Sequence, residues 1–400
     1  MAPIVAGVDS STQSVKVVLR DAESGELIAQ TSRPHPDGTE VDPRHWHQAL
    51  DSALKELASH PIDAISIAGQ QHGMVALDAS GEVIRPALLW NDTRSSGEAE
   101  EINKEFPNIH QRTGSKLVAS FTASKVRWLS KNEPESAKKV AAIALPHDWL
   151  SWKLQGGNQI NNLFTDRSDA SGTGYFDSVK NKYCGDIFSF CLPNAEDIQF
   201  PKIVAPNELA GETTSGIPIA AGAGDNAGAA LGVGAKVGDL VISLGTSGTA
   251  FVVSSTPTHD LSGEVAGFAD ATGNYLPLAC TLNAAKIFAS TSAMLNLTFD
   301  QFSELALSAR SGADGLRLLP HFDGERTPNR PNSRGQLVGI NHSNFTRENI
   351  ARAAIEGVLA GMIYAATAVS KLGVNWNRVL LIGGAAKNSA VQQIAAKLFG

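Results

Sequence analysis

The chain has 400 residues, of which 42% are hydrophobic and 18% are charged, and its formal net charge is −7 at pH 7. This length is typical of two domains of roughly 200 residues each, with enough apolar material for a substantial core. The acidic balance and the lack of a basic run argue against a nucleic-acid-binding surface. We find no apolar stretch near the ~20 residues that span a bilayer, and no basic segment of a signal peptide at the amino terminus. The sequence therefore predicts neither a nucleic-acid partner nor a membrane association.

The three cysteines are odd in number, and their spacing matches no common metal-ligand motif. They are Cys184, Cys191 and Cys280. Reduced thiols in a cytoplasmic protein are the simplest interpretation of this pattern.

Predicted strands run directly into polar or glycine-rich turns at five places. The first two apolar runs flank a hydroxyl-rich turn, which predicts a β-hairpin. Residues 240–253 repeat the order strand, polar turn, strand, which suggests a weak internal duplication. Ligand sites on α/β sheets lie where strands end, so these turns are candidate binding sites. The strands that end in them cover residues 4–8, 64–68, 217–221, 241–244 and 379–382.

One helix is predicted with particular clarity near the end of the chain. Thr346 can cap it, Glu348 lies in its first turn, and Gly373 can stop it. Apolar residues follow the cap at i+4 spacing, and small residues on a neighbouring face would permit close packing. The apolar set is Ile350, Ala354, Val358 and Met362, and the small set is Ala353, Gly357 and Gly361.

Two turns carry hydroxyl groups at equivalent places in the two halves. Backbone N–H groups and hydroxyls can bind phosphates there, and a neighbouring carboxylate can orient hydrated Mg²⁺. Each turn alone is equally well explained as a surface turn, whereas the pair favours phosphate binding. The candidates are Asp9 (which would meet the metal through water), Ser11, Thr12, Gln13 and Lys16 in the first turn, and Gly245, Thr246 and Ser247 in the second.

Asp225 stands among glycines after the predicted strand 217–221. With Asn226 beside it, it could accept the proton of a sugar hydroxyl during phosphoryl transfer. It could equally be the N-cap of a helix that starts near Ala227. These residues alone leave both interpretations open.

Two further strand ends offer groups suited to a polyol. Amides and an imidazole follow the strand 64–68, and an indole with polar neighbours follows residue 89. Such a mixture can bind hydroxyl edges and C–H faces, although a structural histidine and a solvated turn are comparable explanations. The candidate sugar ligands are Gln70, Gln71, His72, Trp90, Asn91 and Arg94, together with Asp225 and Asn226.

The last strand, residues 379–382, ends in a glycine pair. Glycine there would let an adenine or a ribose lie against the backbone, although an ordinary strand-to-helix turn has the same pattern. The candidates are Gly383, Gly384 and Asn388. The chain has no Walker A loop, so ATP binding of the P-loop kind is not expected.

Two long motifs carry a resemblance to the FGGY family of carbohydrate kinases. The first comprises residues 120–125 with Trp128 and Asn132. The second comprises Gly335, Leu337, Gly339, Ile340, Asn349, Ile350, Ala353, Ala354, Ile355 and Glu356. Residues 69–73, 89–94 and 166–171 are similar to the xylulokinase branch of that family, although Gln71 stands where methionine is also expected.

The resemblance implies an α/β fold of two domains, actin/hexokinase-like (ribonuclease H-like), with an ATP-binding interdomain cleft. We place the domains at residues 1–236 and 237–400, and expect the natural chain to continue past Gly400. The implied reaction is ATP- and Mg²⁺-dependent phosphorylation of D-xylulose to D-xylulose 5-phosphate, with Asp225 as general base. A homodimer is a family-level expectation. Alternatives are a family kinase for ribulose, gluconate or glycerol, and a non-catalytic ATP-dependent switch.

Overall fold

The structure, a computed structural model, describes residues 2–193 and 197–400. The chain divides into two compact units. The first comprises Met1–Gly232 and Phe268–Asn274, and the second comprises Val233–Gly267 and Tyr275–Gly400. The predicted boundary at residues 236 and 237 falls in a connection between a helix and a strand, and it stays a prediction.

The first unit contains a seven-stranded mixed sheet, several two-stranded sheets and flanking helices. Its strands are β1 (Ile4–Ser10), β2 (Ser14–Asp21), β3 (Leu27–Pro34), β4 (Glu40–Val41), β5 (Ala64–Gly69), β6 (Val75–Leu77), β7 (Ala87–Leu88), β8 (Ala142–Ala144), β9 (Phe164–Asp166), β10 (Phe176–Asp177), β11 (Lys182–Tyr183), β12 (Lys202–Val204), β13 (Leu209–Glu212), β14 (Pro218–Ala220) and β15 (Ala223–Gly224). Its helices are α1 (Pro43–Glu56), α2 (Ser96–Glu105), α3 (Ile109–Thr113), α4 (Thr122–Asn132), α5 (Pro134–Ala137), α6 (Pro146–Leu154), α7 (Arg167–Ala170), α8 (Gly185–Cys191) and α9 (Asp225–Gly232), with a 3₁₀ turn at Ile160–Asn162.

The large sheet has the strand order β13-β14-β5-β1-β2-β3, and β15 also pairs with β5. The predicted first hairpin is confirmed, because β1 and β2 are antiparallel with Ser10 opposite Val15. Side chains of β1 alternate in burial, so that Val8 is buried while Asp9 faces outward. β5 runs parallel to β1, and the predicted strand 64–68 is therefore confirmed next to the first one.

The core of this unit lies between the sheet and helices such as α1. Asp42 caps α1 by accepting a hydrogen bond from the backbone N–H of Arg44, and Pro43 occupies the first helical turn. The helix then buries Trp46 and Leu50 against the sheet. Other core members are Val8, Val17, Leu19, Ile65, Ile67, Leu77, Trp149, Leu150 and Phe164.

The second unit contains a five-stranded sheet, a two-stranded sheet and four longer helices among the described residues. Its strands are β16 (Asp239–Leu244), β17 (Gly248–Val252), β18 (Val265–Ala269), β19 (Tyr275–Thr281), β20 (Arg317–Leu319), β21 (Gln336–Val338) and β22 (Arg378–Ile382). The last two residues of β18, Phe268 and Ala269, are counted with the first unit. Its helices are α10 (Ala285–Met294), α11 (Phe299–Ser308), α12 (Arg347–Ser370) and α13 (Ser389–Phe399), with 3₁₀ turns at Ala313–Gly315 and Gly384–Lys387.

The topology of the second sheet repeats that of the first. Its strand order is β18-β19-β17-β16-β22. β16 forms an antiparallel hairpin with β17 and runs parallel to β22, as β1 does with β2 and β5. The predicted internal duplication is therefore confirmed at the level of topology, and so are the predicted strands at 241–244 and 379–382.

Helix α12 forms the centre of the second core. Thr346 caps it by accepting from the backbone N–H of Asn349, as predicted. A Cβ at Gly357 would collide with the carbonyl of Leu318, which confirms close packing there, whereas Gly361 faces open space. By length and hydropathy α12 could cross a membrane, so the expectation that no apolar stretch approaches the length of a membrane span is wrong. More than half of its apolar window is buried in the protein, as in the core helix of a globular domain.

No disulfide joins the cysteines within the described residues. Cys184 and Cys191 are buried in the first unit, and Cys280 is partly exposed in the second. The prediction of reduced thiols agrees with this arrangement.

Candidate functional site

The first unit brings its polar strand ends together at one edge of the large sheet. In register, Asp9 lies opposite Ala68 of β5, and Ala68 lies opposite Ala223 of β15. The strands run parallel and end level with one another, with Ser10 and Gly224 each opposite Gly69, so Asp9 and Asp225 lie at the same edge of the sheet. A Cβ placed at Gly228 would lie 3.0 Å from Cβ of Ala68, which shows that α9 packs closely over that face.

Asp225 is the first residue of α9 and is half-buried. Its Oδ1 accepts hydrogen bonds from the backbone N–H of Asn226 at 2.7 Å and from the Asn226 side-chain amide at 2.9 Å. Burial raises the pKa of Asp225 to about 7, the hydrogen bond from Asn226 opposes this shift, and the charge of Asp9 adds to it. An N-cap carboxylate accepts from the second or third helical N–H, whereas the bonds recorded here come from the next residue. A carboxyl group with a pKa near neutrality can exchange a proton at physiological pH.

Asp9 lies on the outward face of β1, directly opposite Lys16 of β2. It keeps an exposed surface, but protein packed around its carboxylate removes hydration and raises its pKa, while Lys16 opposes the shift. The two acidic groups, Asp9 and Asp225, therefore interact unfavourably with each other in the absence of a cation.

A chain of hydrogen bonds connects three of the predicted site residues. Trp90 donates from Nε1 to Oγ1 of Thr12 at 2.9 Å, and Thr12 donates in turn to Oε1 of Gln70 at 3.4 Å. Gln70 is only 1% exposed, and its Nε2 has no partner within the described residues. A buried amide group without a partner is costly, so this nitrogen is a candidate donor to a ligand oxygen.

A second group of contacts connects Gln71 with the region of Asp225. Asn226 donates from its side chain to Oε1 of Gln71 at 3.4 Å. A Cβ at Gly224 would lie 2.8 Å from the Gln71 side chain, so glycine is needed for this approach. The hydroxyl of Ser168, in α7, accepts a hydrogen bond from the backbone N–H of Gly224 at 3.1 Å. The backbone carbonyl oxygen of Ser168 lies 3.5 Å from Nε2 of Gln71.

His72 is held in a left-handed backbone conformation with φ of 69°, which is uncommon for a residue other than glycine. Its Nδ1 lies 2.6 Å from the carbonyl oxygen of Gly172, which fixes Nδ1 as the protonated nitrogen. The ring packs against Phe121 and Phe268 at centroid distances of 4.9 and 5.4 Å. Backbone strain of this kind concentrates at functional sites, and here it sets the direction of one imidazole.

The other two predicted sugar ligands near Trp90, Asn91 and Arg94, differ in the partners that their side chains have. Asn91 is half-buried, and its Oδ1 has no partner within the described part of the chain. Arg94 forms ion pairs with Asp92 and Glu40 at 2.9 and 2.7 Å, and its guanidinium lies 5.1 Å from the Trp128 ring. These contacts explain the position of Arg94 without a ligand, so its role in sugar binding stays a prediction.

The hairpin turn after β1 is organised by its own backbone. Ser11 donates from both its N–H and its hydroxyl to the carbonyl of Ser14, at 3.0 and 3.1 Å. The carbonyl of Gln13 accepts the backbone N–H of His35, and Gln13 itself is exposed. Both donors of Ser11 are therefore used within the turn, and phosphate binding by Ser11, Gln13 and Lys16 stays a prediction.

In the second unit the predicted ATP-binding turns lie next to each other, because β16 and β22 pair up to Ser243 and Ile382. Gly383 has φ of 94°, and a Cβ there would lie 2.6 Å from the carbonyl oxygen of Leu244. The carbonyls of Gly245 and Thr246 accept N–H groups at the start of α10, at 2.9 and 3.3 Å.

The other residues of this unit that were predicted to bind ATP lie in the same turns or at the start of α13. Ser247 is half-buried in the same hairpin turn, and Thr246 is exposed. Gly384 begins a 3₁₀ turn, and a Cβ there would meet nothing within 4 Å. Asn388 caps α13 by accepting the backbone N–H groups of Ala390 and Val391 at 3.0 and 3.1 Å. Its Oδ1 therefore has a structural role, and contact with adenosine stays a prediction.

Sequence reasoning did not single out a buried ionic cluster beneath the site. His147 lies 2.8 Å from Asp169 and 3.1 Å from Asp148, with Asp166 nearby. The ligand atoms of His147, Asp148 and Asp169 lie within 4.8 Å of one another, a spacing that a metal ion could also use. A signal was present, since Pro146 and His147 come just after Leu145 at the end of β8, and Asp166 and Asp169 belong to the segment 166–171 that resembles the xylulokinase branch.

A second missed contact supports His72. Lys125, a fully buried residue of α4, donates to the carbonyls of Ala119, Ser120 and Phe121. Burial lowers its pKa to about 7, and the charge of Asp92 opposes that shift. The lysine thus fixes the loop whose phenylalanine packs on the imidazole. Its place in the first sequence motif was the available signal.

Comparison with known proteins identifies the family. The profile of the FGGY family of carbohydrate kinases matches the chain with its N-terminal domain at residues 4–232 and its C-terminal domain at residues 240–400. The chain belongs to the FGGY family of carbohydrate kinases. It therefore has the two-domain actin/hexokinase-like fold of that family and is a phosphotransferase that uses ATP.

The relatives of this FGGY kinase agree with that assignment. A protein named xylulose kinase from Streptomyces coelicolor is 42% identical over 100% of this chain and 83% of its own length. A xylulose kinase from Escherichia coli is 32% identical over 98% of this chain and 84% of its own length. The crystal structure of xylulose kinase from Bifidobacterium adolescentis superposes with a TM-score of 0.88, at 43% identity, covering 98% of this chain and 87% of that one.

Proposed function

We propose that the protein transfers the γ-phosphoryl group of ATP to the terminal hydroxyl of D-xylulose and so forms D-xylulose 5-phosphate. The observation that carries the proposal is the position of Asp225. Its carboxyl group has a pKa near 7, is oriented by Asn226, and lies beside the polar strand ends that carry Gln70, Gln71 and His72. The names of the relatives supply the choice of sugar.

In the proposed reaction Asp225 acts as general base. The sugar hydroxyl oxygen forms a bond to the γ-phosphorus while the bond from that phosphorus to the β,γ-bridging oxygen breaks, and ADP leaves. The hydroxyl proton passes to a carboxylate oxygen of Asp225. Since phosphoryl transfer has a loose transition state, placing the hydroxyl contributes more than the strength of the base. The two hydrogen bonds from Asn226 restrict the carboxylate for that purpose.

Sugar recognition is assigned to the buried polar groups of the first unit. Nε2 of Gln70 and Oδ1 of Asn91 have no partner among the described residues, and a sugar offers both acceptors and donors for them. His72 and Gln71 would contribute further polar contacts, and the indole of Trp90 would provide an apolar face. A site built this way rejects sugars that leave its buried groups unpaired.

ATP binding is assigned to the turns of the second unit. Gly383 brings the end of β22 against the end of β16, which leaves no space for a side chain. The exposed hydroxyl of Thr246 and the neighbouring backbone could then meet phosphate oxygens.

The donor set of the first unit fits Mg²⁺. Asp9 and Asp225 raise the local negative charge, and carboxylate oxygens are the ligands that this ion prefers, directly or through water. Asp9 would hold the ion through water. When bound, the ion neutralises charge on the phosphates during transfer. We also propose a cytoplasmic location, where ATP is available, and a homodimer as the assembly to test.

A coupled ATP-turnover assay with D-xylulose, D-ribulose, L-ribulose, gluconate and glycerol tests the proposal. We expect kcat/KM to be highest for D-xylulose, with ATP consumption dependent on sugar. A higher kcat/KM for another sugar would leave the proposed mechanism in place but change the assigned substrate. ATP hydrolysis that ignores every sugar would contradict the proposal and favour an ATP-dependent switch.

A further inference from the structure

The beginning of α6 is inserted among three glycines that border the candidate site. A Cβ at Gly69 would lie 2.7 Å from Cβ of His147, and one at Gly222 would lie 2.6 Å from its ring. A Cβ at Gly73 would lie 2.5 Å from the ring of Pro146. Gly69 and Gly73 bracket the sugar-binding segment, and Gly222 precedes Asp225. The two side chains therefore pack directly against the backbone that carries the candidate site.

The hydrogen bonds of His147 show that both ring nitrogens face acceptors. Nδ1 lies 2.8 Å from Oδ2 of Asp169 and 3.1 Å from Oδ1 of Asp148, and Nε2 lies 3.4 Å from the carbonyl oxygen of Ala221. An imidazolium donates one N–H to Asp169 and directs the other towards Ala221, and its charge faces Asp148, whose Oδ1 accepts no hydrogen bond among the described residues. A metal-bound imidazole would leave one of the first two contacts without a proton. Burial alone lowers the pKa of His147, but the carboxylates of Asp148 and Asp169 outweigh it and raise the pKa to about 10.

The ion pair joins α6 to α7, which also contacts the site. Asp169 belongs to α7, and the adjacent Ser168 accepts the backbone N–H of Gly224. The turn that follows α7 presents the carbonyl of Gly172 to His72. Asp166 secures the start of α7 by accepting two backbone N–H groups, at 2.7 and 3.0 Å.

We propose that His147 is a positioning residue for phosphoryl transfer: through its ion pair with Asp169 and its packing on Gly69 and Gly222 it fixes the segments that carry Gln71, His72 and Asp225. It does not touch the substrates itself. The catalytic part of this inference rests on the proposed sugar kinase function, whereas the fixing of the two segments does not.

The first test compares kinetics of His147→Gln, Asp169→Asn and His147→Lys. The glutamine and asparagine variants are expected to lose about 10–100-fold in kcat/KM for the sugar, the usual scale for a small misplacement of reacting groups. KM for ATP should stay within about 2-fold, since the ATP turns are not involved. The lysine variant keeps a cation opposite Asp169 and should recover most of the loss. Native sugar kinetics in His147→Gln would overturn the proposal, as would equal loss in the lysine and glutamine variants.

The second test does not depend on activity. Amide hydrogen exchange of the intact protein is measured in peptides that cover residues 66–75 and 219–228. In His147→Gln both segments should exchange at least about 10-fold faster than in the parent, because their packing partner is altered. The control, Lys138→Met, removes an exposed ion pair with Glu135 at the end of α5 in the same unit and should leave both segments unchanged.

The two tests separate the possible failures. If the parent protein lacks sugar-dependent turnover but the exchange result holds, the proposed function is wrong and the structural assignment of His147 stands. If exchange in His147→Gln matches that of the parent, the positioning role is wrong whatever the activity. If the glutamine variant does not fold, Asp169→Asn and His147→Lys are compared by the same exchange measurement, and unchanged exchange in Asp169→Asn would overturn the role of the ion pair.

Discussion

Asn226 donates two hydrogen bonds to Oδ1 of Asp225, one from its backbone at 2.7 Å and one from its side chain at 2.9 Å. The same side-chain amide lies 3.4 Å from Oε1 of Gln71. The orientation of the candidate base is thus linked directly to a candidate sugar ligand on another strand.

Replacing Asp225 tests the general base. Asp225→Ala is expected to lower kcat by roughly 10²–10⁴-fold, because the sugar proton then lacks a positioned acceptor. Steady-state turnover with D-xylulose at saturating ATP measures the effect. Asp51→Asn, on the exposed face of α1, is the control and should keep kcat within about 2-fold. Near-native turnover in Asp225→Ala would remove this residue from the role.

The pKa of Asp225 predicts the pH dependence of activity. The carboxylate must be ionised to accept a proton, so kcat/KM for the sugar should rise with pH and level off above about pH 7. One pH unit below that value only about a tenth of the molecules carry the base, which gives a slope near one. Direct measurement of ADP formation from pH 5 to 9 tests whether kcat/KM rises in this way. The residual activity of Asp225→Asn should not show this rise with pH.

The same pKa predicts an effect on stability with a definite sign. The folded-state pKa of Asp225, about 7, lies above its ordinary value of 3.8, so the folded protein holds this proton more tightly than the unfolded chain does. The stabilisation that the folded protein gains by holding this proton is complete below pH 3.8 and is lost as pH rises through about 7. Asp225→Asn should therefore raise Tm relative to the parent more at pH 8 than at pH 5. An equal change at both pH values in thermal unfolding would contradict the assignment.

The glycines at the end of β22 form a matched pair for testing the ATP turns. Gly383→Ala forces a side chain into the carbonyl of Leu244 at a positive φ and should destabilise the second unit by about 1–3 kcal/mol while raising KM for ATP. Gly384→Ala places the same methyl group in open space and should leave both quantities near the parent values. Denaturant unfolding and ATP titration of the two variants make the comparison. Equal behaviour would show that the strand ends do not form this close approach.

Lys125 tests the support of His72. Lys125→Met keeps the length of the side chain but removes a donor from three carbonyl oxygens, of which that of Ala119 still accepts from the Ser95 hydroxyl. It should lower the free energy of unfolding of the first unit by about 1–3 kcal/mol. Because the loop carries Phe121, KM for the sugar should also rise, while KM for ATP should not. Lys131→Met, on the exposed part of the same helix, is the control. A change confined to stability would show that the loop does not position the imidazole.

Much of the fold follows from local patterns in the sequence. The hairpins β1–β2 and β16–β17, the strand β22 and the capped helix α12 all lie where alternation, turns and capping residues predicted them. The candidate ligands at the strand ends were found for the same reason, since a polar turn after an apolar run is visible without a partner. The length and hydropathy of α12, by contrast, could not distinguish a core helix from a membrane span, because burial depends on what packs around it.

The sequence by itself determined which segments form strands and helices, where polar side chains leave the sheet, and, through two long motifs, the family. Only the tertiary structure decided that Asn226 meets Gln71 across 155 positions of the chain, and that His147 packs against Gly69 and Gly222. Periodicity and turn chemistry act over a few residues, whereas such contacts depend on the order and register of strands. The pKa of Asp225 was likewise out of reach of the sequence, because it is set by burial and by the charge of Asp9 on a strand far away in the chain.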